Sequence, residues 1–436
     1  MRRLLIKNAK ALIGTFPTGV ARSAGASMAQ LPSIEDGWLT AEDGRITALG
    51  AMDDFPGITD WSDLTVIDAA GRYVLPGWCD PHTHSVFSAP RAEEFVDRIK
   101  GLTYQEIAAR GGGILNSAMK LRAMSEEDLF VQAKARLEGM MRQGTVAVEI
   151  KSGYGLTLES ELKMLRVAKR LKEELPLQVK TTLLAAHALP PEFKEDRTKY
   201  IDLICNELIP QVAAEQLADF VDVFCETNYF TVAEMERVLE AGAKHGLPGK
   251  VHVNQFTSIG AIQAAVKHRA LSVDHLEVMT EEDIAALAGS GSSFSSGEGG
   301  QGDEGPILTL LPSCSFFLRI PYAPARQLID RGLPVALASD HNPGSTPSGN
   351  LNFVLSLACI QLRLLPEEAI TALTLNAAAA MQLEGDLGGL TVGKRASFII
   401  TNEVPSLAYL PYAFGTDHID TMIIDGKPVR SGKALL

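Results

Sequence analysis

Two histidines, His82 and His84, close the stretch LPGWCDPHTH at residues 75–84. The whole chain has only nine histidines in 436 residues, so a pair this close is a pattern with chemical content. In an extended backbone, residues i and i+2 project to the same side, and both imidazoles can then reach one metal ion. His252 in KVHVN and Asp340 in ASDHNPGS also sit on or just after apolar runs. The four together offer three nitrogens and one carboxylate oxygen. That set suits Zn²⁺ or Fe²⁺ and leaves room for water.

Four side chains this far apart in sequence need a scaffold that gathers them. Eight apolar runs have strand character: residues 73–79, 145–150, 179–186, 220–225, 250–254, 271–274, 307–312 and 334–339. Helical patterns separate them, such as SEEDLFVQAKARLEGMMRQG at 125–144 and LESELKMLRVAKRLKEEL at 158–175. In the first, Ser125 reads as the N-cap, acidic residues fill the first turn, and Gly144 reads as the stop. Strands alternating with helices argue for a parallel sheet, and eight such units match an α/β fold of the (β/α)8 TIM-barrel type.

Catalytic groups of such barrels sit at the C-terminal ends of the strands. His82, His84, His187, His252, His275 and His341 all fall at or just after a predicted strand end, as do Tyr154, Gln255 and Asp340. His245, His268 and His418 do not. Histidines scattered for core packing would not sort in this way.

The two ends of the chain differ from the middle. Residues 1–70 and 384–436 are short apolar runs broken by turn signals such as EDG and DG. They predict one small accessory β-sandwich domain built from both termini, around a barrel at 71–383. Within the barrel, GSGSSFSSGEGGQGDEG at 289–305 is a low-complexity Gly/Ser insertion, read as a flexible loop or a lid over the site.

Composition narrows the function classes. Hydrophobic residues make up 46% of the chain, and the formal net charge is −13. An acidic chain is poorly suited to nucleic acid or to an anionic membrane surface, and a small-molecule substrate is the expected partner. Cys79, Cys205, Cys225, Cys314 and Cys359 are scattered and odd in number, which predicts a reduced, cytoplasmic protein. The opening MRRLLIKNAKALIGTF lacks the apolar core of a secretion signal, and no apolar segment is long enough to span a bilayer.

With these residues in hand, the chain resembles the amidohydrolase superfamily and, within it, the imidazolonepropionase family. The blocks that carry the resemblance are LPGWCDPHTH, RAEEFVDRIKGLTYQEIAARGGGI, VEIKSGYGLTLESELKMLRVAKRL, VDVFCE, KVHVNQF, SVDHLE and SDHNPGS, which run from about residue 70 to 350. GGGI, KSGYGL and SDHNPGS in this order are specific. The resemblance implies one divalent metal ion, Zn or Fe, on His82, His84, His252 and Asp340. It implies hydrolysis of 4-imidazolone-5-propionate to N-formimino-L-glutamate, a step of histidine degradation, by a homodimer. Carried over position by position, Arg91, Tyr154, His187, Gln255, Asn342, Gly344 and Ser345 would contact the substrate.

The chemistry then assigns roles. Asp340 is the expected proton shuttle, and His275 is expected to polarise the ring carbonyl or, alternatively, to support another group from behind. Arg91 would pair with the propionate; otherwise it is a surface arginine paired with Glu93 or Glu94. Tyr154, between Gly153 and Gly155, would reach the pocket from a pliant turn or pack within that turn. Gln255 stands where many members carry an acidic residue, and a glutamine hydrogen-bonds without taking a proton. The competing enzyme reading is another cyclic amidohydrolase or an amino-heterocycle deaminase with two metals, which would need Cys225 or Glu226 as a bridging ligand. A non-catalytic metal-dependent binding protein is the third reading.

Overall fold

The computed structural model describes residues 3–102, 106, 112–290, 305–432 and 434–435. The Gly/Ser insertion, apart from its first two residues and its last, lies outside the described residues.

Eight parallel strands form the barrel: β1 Trp78–Thr83, β2 Thr145–Lys151, β3 Gln178–Ala186, β4 Phe220–Cys225, β5 Gly249–Val253, β6 Ser272–His275, β7 Ile307–Leu310 and β8 Val335–Leu337. Each pairs in parallel with the next in sequence. The seam between β8 and β1 closes just past the strand ends. There His84 N–H donates to His341 O at 2.8 Å, and Asp340 N–H donates to His82 O at 3.1 Å. Lower in the seam, the Asp80 carboxylate accepts from Ser339 N at 3.0 Å and Ser339 Oγ at 2.6 Å.

Connecting helices cover the barrel. The helix Glu126–Arg142 begins at Ser125, whose side chain accepts from Asp128 N, and the chain leaves it through Gly144 at φ +99°. The helix Leu158–Glu174 is capped in the same manner by Thr157. Burial of Leu129, Ala133, Leu137 and Met140 on one face of the first helix follows the 3.6-residue period.

A second, mixed sheet of nine strands joins the two ends of the chain, with Arg3–Ile13 at its centre and Phe398–Thr401 reaching it through Tyr73–Pro76. Its own apolar cluster includes Leu4, Ile6, Leu39, Val74, Phe398 and Ile423.

One expected strand needs correction. The run 73–79 is two strands in different sheets: Tyr73–Pro76 pairs with the terminal strands, while Trp78–Thr83 opens the barrel. Gly77 lies between them, and a Cβ there would come within 2.1 Å of Val146 Cγ1. The chain crosses between sheets too close to β2 for any side chain. As a result His82 lies within β1 rather than after it. Among the described residues no helix is long and apolar enough to cross a membrane, and the five cysteines are all free.

Candidate metal centre and substrate cavity

Three elements deliver the four expected metal donors. His82 and His84 come from the end of β1, His252 from β5, and Asp340 from the turn after β8. The closing seam fixes three of them relative to one another, because its two backbone hydrogen bonds run between their own residues or immediate neighbours. Asp340 adopts φ +55°, a left-handed conformation for a residue with a side chain. Backbone of this kind persists where the surroundings over-determine it.

The donor atoms converge. His84 Nε2 lies 3.5 Å from His252 Nε2. Asp340 Oδ1 lies 3.7 Å from His82 Nε2 and 3.6 Å from His84 Nε2. His82, His84, His252 and Asp340 are at most 3% exposed. His82 Nε2 is buried with no hydrogen-bond partner among the described residues. Buried polar atoms are nearly always paired, so an unpaired ring nitrogen that faces Asp340 Oδ1 fits a cation ligand. Burial, together with Lys151 and the neighbouring histidines, holds all three imidazoles well below the ordinary histidine range. They are neutral lone-pair donors, as metal ligation requires. Burial also raises Asp340 to about 6. The donor set therefore fits a divalent cation.

Carboxylates stand behind two of the ligands. Asp274 Oδ2 is 2.6 Å from His82 Nδ1. Asp222 accepts from the backbone N–H of His252 at 3.2 Å, and its Oδ2 lies 3.0 Å from His252 Nδ1, off the line of a good hydrogen bond. Such partners set ring orientation and tautomer. Reasoning from the sequence named neither in this role. Lys151 sits beneath both on β2, its Nζ engaged with Glu149 and Asp222. Burial pulls its pKa down, but Asp222, Glu149 and Asp274 more than reverse this and push it up. A lysine kept charged has no free electron pair to offer a second metal. Of the bridging candidates of the two-metal reading, Cys225 is fully buried, like the four donors, and Glu226 accepts from Thr227 N at 2.8 Å and Phe256 N at 2.8 Å.

A cavity of about 370 Å³ opens above the donors and is lined by His84, His252 and Asp340. Arg91, Tyr154, His187, Gln255, His275, Asn342, Gly344 and Ser345 line the same cavity, so the structure gathers every residue expected to meet substrate. Its size suits a small molecule.

Arg91 is not at the surface. Its side chain is 9% exposed, Nη1 is 3.6 Å from Glu94 Oε2, and Nε is buried without a partner among the described residues. Its backbone N–H donates to Pro343 O at 3.2 Å, which ties it to the loop after β8. Arg98, absent from the sequence reading, lines the cavity too and donates to Gly344 O at 3.2 Å. Tyr154 is held by the turn it occupies. Glu161 accepts from Gly153 N at 2.9 Å, Gly155 N at 2.8 Å and Leu156 N at 2.7 Å, so one buried carboxylate orders the whole loop. His187 stacks on His84 with ring centroids 5.2 Å apart, and its Nδ1 meets Gly153 O at 3.0 Å. Burial lowers its pKa to about 4.

His275 differs from the other histidines. It adopts φ +87° at the end of β6, and its Nδ1 is 3.4 Å from Glu277 Oε1. Burial opposes its charge, yet Glu277 overrides that effect and raises its pKa. Gln255 Nε2 faces Cys314 Sγ at 3.5 Å. Asn342 shapes the loop after β8: its Oδ1 accepts from Gly344 N at 2.8 Å and Ser345 N at 2.7 Å. Ser345 Oγ lies 3.3 Å from Asp340 Oδ2.

Comparison with known proteins agrees with this architecture. Residues 73–429 match the model of the amidohydrolase family. The imidazolonepropionase of Flavobacterium johnsoniae is 52% identical over 423 residues, covering 97% of this chain and 99% of the relative. That of Geobacillus kaustophilus is 40% identical over 441 residues and covers 100% of both. Among solved structures, a triazine hydrolase variant superposes with a TM-score of 0.74 at 17% identity, over 100% of this chain and 96% of that one. Escherichia coli guanine deaminase gives 0.71 at 14% identity, over 99% and 100%. These two share the fold.

Proposed function

The chain belongs to the imidazolonepropionase family of amidohydrolases, and from that premise we propose how its residues carry out the reaction. The enzyme uses a metal cofactor to hydrolyse the ring amide C–N bond of 4-imidazolone-5-propionate, a step of histidine degradation, releasing N-formimino-L-glutamate. The observation that carries the residue-level reading is the convergence of three neutral imidazoles and Asp340 on the floor of a cavity that a buried arginine also lines.

His82, His84, His252 and Asp340 hold one divalent ion, Zn or Fe. When bound, the ion supplies Lewis acidity, which brings water into the nucleophilic range near neutral pH. Asp340 accepts the proton of the attacking water and returns it to the leaving ring nitrogen. Gln255 hydrogen-bonds the ring but takes no proton, which leaves Asp340 as the base. His275, whose pKa Glu277 raises, donates to the carbonyl oxygen as negative charge develops there, a contribution of about 2.7–4 kcal/mol per donor.

Arg91 grips the propionate through its guanidinium fork, a geometry matched to carboxylates. Tyr154 and His187 line the cavity beside His84, and the loop of Asn342, Gly344 and Ser345 lines it near Arg91. The accessory unit, expected at 1–70 plus 384–436, also takes Tyr73–Pro76 from the expected barrel range 71–383, so the catalytic barrel opens at Trp78. The same reading has the enzyme working as a cytoplasmic homodimer, in a compartment where its five free cysteines stay reduced.

The test is a metal count joined to a turnover assay. Purified chain with one Zn or Fe is expected to consume imidazolone propionate and yield formiminoglutamate. Chelation should abolish turnover, and returning the metal should restore it. Two metals per chain would refute the mononuclear reading.

A further inference from the structure

Beneath the metal donors, five fully buried ionisable side chains form one linked ionic network: Glu149 and Lys151 on β2, Asp222 on β4, Lys250 on β5 and Asp274 on β6. Three carboxylates and two ammonium groups share a space that excludes water. Buried charges persist only when paired, so each contact here carries a constraint.

The two lysines are placed differently. Lys250 Nζ binds the Glu149 carboxylate, Pro81 O at 3.1 Å and Ala380 O at 3.0 Å. It ties the barrel floor together, and none of its partners is a carboxylate that faces a metal donor. Lys151 Nζ lies 2.6 Å from Glu149 Oε1, 2.8 Å from Asp222 Oδ2 and 3.6 Å from Asp274 Oδ2. Asp222 and Asp274 are the two carboxylates that face the Nδ1 atoms of His252 and His82. The same oxygens are involved: Asp222 Oδ2 and Asp274 Oδ2 each stand between the Lys151 ammonium and a ligand imidazole.

We propose that Lys151 is a positioning residue of the metal centre. One ammonium bridges the two carboxylates and holds each in the rotamer that turns its histidine's Nε2 toward the cation. Without it, two like charges lose their common counter-charge. Each carboxylate is then free to rotate toward another donor, and His82 and His252 lose their orientation together. The coupling ties ligands on β1 and β5, far apart in sequence, to one side chain. The inference rests on the proposed metal set, and it extends that set to a residue that makes no contact with metal or substrate.

The test measures metal binding rather than turnover. Zinc affinity is obtained by competition with a chromogenic chelator for the full-length wild type, Lys151→Met, the charge-balanced Lys151→Met/Glu149→Gln, and Lys250→Met. Thermal melting of each metal-free form is recorded alongside. The double variant removes one charge of each sign, so the barrel floor keeps its net charge should the single variant fail to fold. Loss of a partner behind a metal ligand typically weakens affinity by about 10- to 100-fold. That loss is expected in both Lys151 variants, with the metal-free double variant melting close to the metal-free wild type. Lys250→Met is expected to lower the melting temperature while the folded fraction keeps wild-type affinity. Zinc affinity within about twofold of wild type in the Lys151 variants would overturn the proposal, as would an equal loss in Lys250→Met. If the wild type itself holds no zinc at these residues, the metal reading fails and the proposal falls with it.

Discussion

Gly344 offers a sharp test of how the anion end of the cavity is built. A Cβ at this position would lie 1.9 Å from Arg91 Nη2 and 2.2 Å from Arg91 Cζ. The Arg91 guanidinium therefore rests directly on the Gly344 backbone, and no other residue type leaves it room. Gly344→Ala must displace the guanidinium. The backbone itself is not strained, since Gly344 is absent from the left-handed residues, and the atoms in the way are the far end of a flexible side chain. A Gly→Ala change at a compatible position stabilises a fold by about 0.4–1 kcal/mol through the unfolded chain. The variant should thus fold as well as wild type, with a melting temperature unchanged or slightly raised.

Its defect should appear in substrate binding. A hydrogen bond to a charged group contributes about 1.5–3 kcal/mol, and each 1.36 kcal/mol is tenfold in rate. Losing the alignment of Arg91 with the propionate then lowers kcat/KM roughly 10- to 150-fold, mostly through KM. The assay is steady-state loss of imidazolone propionate absorbance for wild type, Gly344→Ala, Arg91→Met and the double variant. If Gly344 acts through Arg91, the double variant is no worse than Arg91→Met alone, because the two changes remove one interaction. Fully additive losses would instead assign Gly344 a contact of its own. A KM within about twofold of wild type in Gly344→Ala would refute the packing argument itself.

Two further outcomes follow from the site. Asp340→Ala removes both a metal donor and the proposed proton shuttle, so it should abolish turnover and release metal to mild chelation; near-normal activity would sink both assignments. Glu277→Gln keeps the shape beside His275 but removes the charge that raises its pKa, so kcat should fall about tenfold or more with metal content unchanged, and loss of metal instead would show Glu277 supporting the ligands.

The donors themselves could be read from the sequence because each breaks a local pattern. A His-x-His pair and an Asp-His-Asn turn are conspicuous at the ends of apolar runs, and a barrel brings such ends together whatever the details of its helices. The boundary of β1 could not be read, since YVLPGWC is continuously apolar while belonging to two sheets. The pairings show where one strand stops and the next begins, and the clearance between Gly77 and Val146 shows why. The partners behind the ligands are long-range contacts, and no local pattern pairs Asp274 with His82, 192 residues away. A signal was present nonetheless. Glu149 and Lys151 in TVAVEIK, Asp222 in FVDVFC and Lys250 in GKVHV are charges within otherwise apolar strands, two residues apart or at matching depth. Charges inside fully buried strands must face one another, so their presence predicts an ionic layer under the site even though the pairing within it needs coordinates. Gly344 shows the opposite limit. Its motif marks it as functional, but that it makes room for Arg91 follows only from the fold.

The electrostatic sorting of the histidines gives the site its chemical direction. His82, His84 and His252 lie on the floor, where burial and a nearby buried lysine oppose any added positive charge, so their lone pairs stay available. His275 is just as buried, and its ring lies 5.3 Å from that of His252, yet Glu277 raises its pKa. Desolvation alone would drive all four the same way. For His82, His252 and His275 the difference comes from which carboxylate each ring faces and which charges that carboxylate shares. Asp222 and Asp274 share the Lys151 charge, while Glu277, among the described residues, is met by neutral Ser315 Oγ at 3.2 Å beside His275. His82 and His252, whose carboxylates share a lysine, keep their lone pairs; His275, which faces Glu277, has its pKa raised toward the proton-donor form. Ring amide hydrolysis needs both at once, a few ångströms apart. The barrel separates them by giving the lysine to one side of its interior and not to the other.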